Sequence, residues 1–185
     1  EDIQIFERDV PGENKAGLSG QSIGKLPLET CQTMNGMWGY KVEDQNYKSV
    51  HELVQLLVRT SGKGANLLLN VGPQPDGALP DAALSRFKGI GAWLKDNGET
   101  IYGTTAGGWN QGEDVVTTRK GKKMYIHVLN PSVNKLEIPI REKAANVKPF
   151  NNEGSLKSKS YRTTLELEFE TPENLPDYII EVTFK

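Results

Sequence analysis

The 185-residue sequence holds a single cysteine, Cys31, and only two histidines, His51 and His127. One thiol excludes an internal disulfide and a cysteine-rich zinc cluster, and two imidazoles leave few ligands for a catalytic metal. There is no unbroken Lys/Arg run and no excess of positive charge either: 22 basic residues against 24 acidic ones give a formal charge of -2. Nucleic acid is therefore not an expected partner, because neutralising phosphates requires clustered cations. Long apolar runs are absent too. Leu67-Leu68-Leu69 is far below the roughly 20 residues that span a bilayer, and no signal-like apolar stretch opens the chain. The opening Glu1-Asp2-Ile3 is not an initiator context, and Ile3, Ile5 and Phe6 read as a strand already under way, which suggests an N-terminally truncated chain.

What is present divides near residue 103. Up to that point apolar runs at 2–7, 28–34 and 66–71 alternate with helical periodicity at 49–62 and 80–97, the pattern of parallel α/β units. Val50, Leu53, Val54, Leu57 and Val58 form one apolar stripe, with Ser49 as N-cap and Gly62 and Gly64 at the end. Leu84, Phe87, Ile90, Trp93 and Leu94 form the second, which Pro80 opens and Asn97-Gly98 closes. The long connections, 8–27, 35–48 and 72–79, all follow strands. In a (β/α) barrel the loops after the strands build the active face, so function is expected there. A barrel needs eight units over about 250 residues, or roughly 30 each, so 1–103 supplies only about three and cannot close one. From 104 onward, period-2 segments at 115–118, 124–129, 136–140, 164–169 and 178–182 predict an antiparallel β-sandwich. The expected fold is thus α/β plus all-β: an incomplete TIM-like barrel over 1–103 and a C-terminal sandwich over 104–185. The Lys/Ser-rich 155–160 reads as a solvated turn and Gly103–Gly108 as a linker.

Residues able to carry chemistry gather at the ends of the early strands. Glu7 ends the first, where it is either a rim carboxyl group or a loop anchor, with Arg8 or Asp9 as competing outward residues. Asp9 and Glu13 are expected in solvent, and Glu29, inside a strand, in a structural ion pair. Trp38 stands among glycines in Asn35-Gly36-Met37-Trp38-Gly39-Tyr40, offering an apolar face for a sugar or methyl group, or else packing in the core. Asn66 and Asn70 are expected to satisfy backbone groups of the turn, and Cys31, His51 and His127 to be structural.

Taken together, Leu28-Glu29-Thr30-Cys31 through Trp38-Gly39-Tyr40, then Asn66-Leu67-Leu68-Leu69-Asn70-Val71-Gly72-Pro73 with Asp76-Gly77, then Trp93-Leu94, Asn97-Gly98-Glu99 and Ile101-Tyr102-Gly103 resemble the α-L-fucosidases of glycoside hydrolase family 29. The resemblance covers 1–104 by motif and 105–185 by architecture. It implies a retaining exo-hydrolase that removes α-linked L-fucose from fucosylated glycans without metal or organic cofactor. The nucleophilic Asp and the fucose-binding histidines would lie in the upstream part of the same enzyme. Glu7, followed by Val10-Pro11 and upstream of Trp38-Gly39-Tyr40, matches the family's general acid/base, and Trp38 matches the aromatic that faces the C5 methyl of fucose. A periplasmic or secreted location is implied by the family alone. The competing expectation is a non-catalytic glycan-binding module that uses Trp109, Tyr125 and Tyr161 of 105–185.

Overall fold

The computed structural model describes residues 2–151, 154–172 and 174–185, which form two compact units, Glu1–Lys95 and Asp96–Lys185. Among the described residues no helix is long and apolar enough to cross a membrane.

The first unit opens with β1 (Gln4–Glu7), β2 (Leu28–Thr33), α1 (Val50–Gly62), β3 (Ala65–Asn70) and α2 (Asp81–Asn97). The three strands form a parallel sheet in the order β1-β2-β3, in which Glu7 stands opposite Cys31 and Cys31 opposite Leu68. Because parallel strands share a direction, their carboxyl ends lie along one edge, and the segments after Glu7, Thr33 and Asn70 emerge together.

Helix α1 starts as its sequence requires. Ser49 Oγ accepts from the Glu52 amide (3.1 Å), while Glu52 accepts from the Ser49 amide (2.7 Å), a reciprocal capping box. Those bonds hold the Glu52 carboxyl below the usual carboxylate range. Gly64, at φ 73°, supplies the left-handed residue that turns the chain into β3. Met34, Leu53, Ala83 and Ile90 form the buried cluster between α1, α2 and the end of β2. The second expected stripe is only half realised. Leu84 and Phe87 remain 39% and 37% exposed, because α2 turns the Ala83–Ile90 face inward and they lie beside it.

The second unit carries a short 3-10 turn over Gly98–Thr100, then β4 (Thr105–Ala106), β5 (Val115–Lys120), β6 (Lys123–Val128), β7 (Lys135–Pro139), β8 (Ala144–Pro149), β9 (Leu156–Ser160), β10 (Thr164–Phe169) and β11 (Tyr178–Phe184). These make two antiparallel sheets, β4-β5-β6-β11-β8 and β7-β10-β9. Met124, Ile126, Ile180 and Val182 from the first share one core with Leu136, Ile138, Leu165 and Leu167 from the second, so the unit is a β-sandwich. Full burial of each such side chain contributes about 1.5–3 kcal/mol.

Two expectations fail here for a common reason. The segment read as a solvated turn is an edge strand, β9, and Thr105-Ala106 within the expected linker pairs with β5. Neither has a run of apolar side chains. Strand β9 is held by backbone pairing and by charge alternation instead: Lys157 faces Glu168 and Lys159 faces Glu166, with Leu156 half-buried beneath. Lysines on an edge strand also discourage pairing with another chain.

Candidate active site

The edge formed by the carboxyl ends of β1, β2 and β3 collects Glu7-Arg8, the segment Thr33–Tyr40 and Asn70–Gly72. Glu7 is the last residue of β1, and its side chain is exposed. Its main chain is fixed from both sides. Ser19 Oγ donates to the Glu7 carbonyl (3.1 Å), and the next amide, that of Arg8, donates to the Cys31 carbonyl (2.8 Å).

The connection 8–27 is not a free loop. Asp9 is 3% exposed and accepts from the amides of Lys15 (3.0 Å) and Ala16 (3.2 Å), which corrects its expected place in solvent. A carboxylate that receives amide hydrogen bonds tolerates burial because they replace its lost hydration. Glu13, also expected in solvent, is half-buried with Lys15 3.7 Å away. Further along, Gln21 Nε2 donates to the Ile5 carbonyl (2.6 Å) and Gln4 exchanges bonds with Ser22 and Gly24. The loop thereby caps the outward carbonyls of Ile5 and Glu7, which holds the end of β1 in place.

Trp38 lies half-buried in the connection after β2. Asn70 Nδ2 donates to its carbonyl (2.7 Å) and also reaches Thr33 Oγ1 (3.3 Å), which lies 2.9 Å from the Met37 carbonyl. Asn70 therefore serves backbone, as expected, but that of the neighbouring loop rather than of its own turn. Gly72 comes so close to the same loop that a Cβ there would lie 2.3 Å from the Tyr40 amide nitrogen and 2.4 Å from the Gly39 carbonyl carbon. Only glycine fits.

Arg8 connects the two predicted site residues. It adopts φ 61°, a left-handed conformation uncommon for a side chain this long. In it the guanidinium lies 5.2 Å from the centre of the Trp38 ring and donates to the Gly36 carbonyl (3.1 Å). The sequence offered Arg8 only as a rival to Glu7 and Asn70 chiefly as a turn residue, and it did not single out Thr33 or Gly72, although Val71-Gly72 directly follows a strand. Lys48 supports the same edge, donating from Nζ to the Thr33 carbonyl (2.8 Å), and burial lowers its pKa. A polar cleft lined by Arg8, Asp9, Gln32, Asn35 and Lys48 lies alongside, and neither Glu7 nor Trp38 lines it.

The other candidates stay outside this edge. Glu29 is half-buried and makes no ion pair among the described residues, contrary to expectation. Cys31 is half-buried rather than buried, and burial together with the facing Glu7 pushes its thiol pKa up, away from nucleophilic use. His51 is exposed in the first turn of α1. His127 is fully buried in the sandwich, with Nδ1 2.7 Å from Asp177 Oδ2 and Nε2 3.0 Å from Thr118 Oγ1, and Thr118 donates to the Thr100 carbonyl (2.7 Å). Burial pushes the Asp177 carboxyl up and His127 opposes that shift.

The aromatics proposed for a binding module are mostly unavailable. Tyr125 is 0% exposed, with its hydroxyl on Glu99 (2.7 Å), and Trp109 packs against the sandwich core, which leaves Tyr161 alone exposed.

A family model described as Alpha-L-fucosidase matches residues 1–99. The plasma alpha-L-fucosidase of Rattus norvegicus is 38% identical over 109 residues, covering 55% of this chain and 23% of the relative. The tissue alpha-L-fucosidase of Homo sapiens is 32% identical over 150 residues, 74% of this chain and 31% of the relative. Among solved structures, alpha-L-fucosidase isoenzyme 1 from Paenibacillus thiaminolyticus superposes with a TM-score of 0.80 at 28% identity, covering 100% of this chain and 45% of that one. The Thermotoga maritima alpha-fucosidase in complex with fucose gives 0.71 at 28% identity, over 86% of this chain and 41% of the other. The chain spans 31% or less of these curated relatives and under half of the solved chains.

Proposed function

Because the chain belongs to the alpha-L-fucosidase family, we propose that it is the C-terminal part of a retaining, exo-acting α-L-fucosidase of glycoside hydrolase family 29. In this reading residues 1–103 are the last units of a (β/α)8-like barrel and 104–185 the β-sandwich domain that follows. The upstream part of the same enzyme supplies the nucleophilic Asp, and the substrate is a fucosylated glycan met in a periplasmic or extracellular space. The observation that carries the reading is the stitching of the Trp38 loop to the Glu7 strand end through Arg8, and to the end of β3 through Asn70, at the carboxyl edge of a parallel sheet.

The chemistry follows from two carboxyl groups roughly 5–5.5 Å apart. As the upstream Asp attacks the anomeric carbon, Glu7 delivers its proton to the departing glycosidic oxygen, so the aglycone leaves as an alcohol and a fucosyl–enzyme ester remains. Glu7, now ionised, takes a proton from water, whose oxygen displaces the Asp and releases fucose with retained configuration. Its exposed side chain on a fixed main chain suits a group that must meet first the leaving oxygen and then water. Trp38 supplies an apolar wall for the C5 methyl. One carboxyl group cannot run both displacements, so the chain alone is inactive.

The test is hydrolysis of 4-nitrophenyl α-L-fucoside by the full-length protein, with a β-galactoside as control. Glu7→Ala should slow fucosides with poor leaving groups by about 10²–10⁴-fold, and nitrophenyl fucoside far less, because an acidic leaving group needs no proton. Equal loss on both substrates removes Glu7 from the role, and no fucoside turnover by the intact protein overturns the assignment.

A further inference from the structure

We propose that Arg8 is a positioning residue of this site: its guanidinium sets the angle at which the Trp38 indole meets the substituent on C5 of the sugar. The inference rests on the reading of Trp38 given above and deepens it.

Three observations lead to it. First, Arg8 holds a left-handed backbone conformation (φ 61°) that glycine would adopt without strain. That conformation is locked, because the Arg8 amide donates to the Cys31 carbonyl (2.8 Å) and its carbonyl accepts from Gln32 Nε2 (3.1 Å). A strained conformation occupied by a long side chain is explained when the side chain has work that glycine cannot do. Second, that side chain leaves β1 and crosses to the next loop, where it bonds to the Gly36 carbonyl (3.1 Å) and lies over the Trp38 ring at 5.2 Å. Third, Asn70 donates to the Trp38 carbonyl, a bond to the backbone that does not itself set the side-chain torsions of the indole. Among the described residues Arg8 is the sole ring partner of Trp38. Glycines at 36 and 39 flank the ring and give the loop no stiffness of its own.

With one face covered by the guanidinium, the indole has its other face and its edges for the sugar. A wall that tells methyl from hydroxymethyl must keep its tilt, since a displacement of about 1 Å at a reacting site can cost about 10²-fold. Arg8 therefore governs discrimination at C5 without touching the reacting atoms.

The experiment uses the full-length enzyme and two substrates that differ only at C5, nitrophenyl α-L-fucoside (methyl) and nitrophenyl α-L-galactoside (hydroxymethyl). Arg8→Gly should lower the fucoside-to-galactoside ratio of kcat/KM about tenfold, mainly by raising KM for the fucoside. Its thermal midpoint should not fall, because glycine relieves the left-handed strain, and the pH limbs of kcat/KM should stay in place. Trp38→Ala should flatten the same ratio, and the double variant should be no worse than Trp38→Ala alone, since both changes remove one wall. An unchanged ratio in Arg8→Gly with a flattened one in Trp38→Ala overturns the Arg8 proposal alone. An unchanged ratio in Trp38→Ala overturns the reading of Trp38 and the Arg8 proposal with it. Losses that multiply in the double variant, or a shifted pH limb in Arg8→Gly, put the effect of Arg8 somewhere other than Trp38 and overturn it as well.

Discussion

A threonine hydroxyl carries one proton, and Thr118 gives its proton to the Thr100 carbonyl. Thr118 Oγ1 must then accept from His127 Nε2–H, which leaves Nδ1 facing Asp177 with a single proton between them. Both side chains of that pair are fully buried. Asp177→Ala strands Nδ1 without a partner or solvent, and should destabilise the sandwich by about 3–5 kcal/mol in urea denaturation. A loss below about 1 kcal/mol would mean that water reaches the imidazole. The structural character of His127 was legible in the sequence because it sits in an apolar strand. Its partner was not, since Asp177 is 50 residues away. The place of Glu7 at a strand end was legible for a local reason, the end of an alternating run. Arg8 was not, because no rule of pattern places an arginine at positive φ. Asp9 was misread because the amides that hold it belong to Lys15 and Ala16, which contribute no side-chain feature to the bond.

The elements show which local rules survive folding. Helix α1 begins at its predicted cap because Ser49 and Glu52 are three residues apart and need nothing else. Strand β9 was missed because what holds it is the register of Lys157 and Lys159 against β10, a property of two segments rather than one. The turn after β3 depends likewise on a distant loop. Gly72→Ala would drive a methyl group into the Gly39–Tyr40 backbone, which cannot swing aside as a side chain could. The substitution should cost about 1–3 kcal/mol by denaturant titration, and in the full-length enzyme it should raise KM for fucoside through displacement of Trp38. Gly89→Ala meets side-chain atoms of Val50 first, rather than backbone, and is the milder comparison. Equal stability of Gly72→Ala and the parent would show that the loop yields freely.

At the scale of the molecule, the two units differ in how much of their apolar surface is covered. The sandwich closes a core between its own sheets, whereas the parallel sheet leaves Ile5 and Leu68 each 48% exposed. Residues 96–185 expressed alone should therefore fold cooperatively, with dispersed amide proton resonances and a single urea transition. Collapsed resonances would show that its core needs the preceding residues. Composition and period-2 alternation made this division visible in outline. Its position inside the last turn of α2 was hidden, because the bonds that tie Glu99, Thr100 and Tyr102 to β5 and β6 reach residues about 20 positions or more away.

The chain's one thiol stands opposite Glu7 in the β1–β2 register, half-buried and disfavoured as a thiolate. Because that thiol is partly open, the mass gained by Cys31 over time in an alkylating reagent reports how accessible the sheet face beside the end of β1 is. No label has to be engineered, since nature has left a single thiol to read.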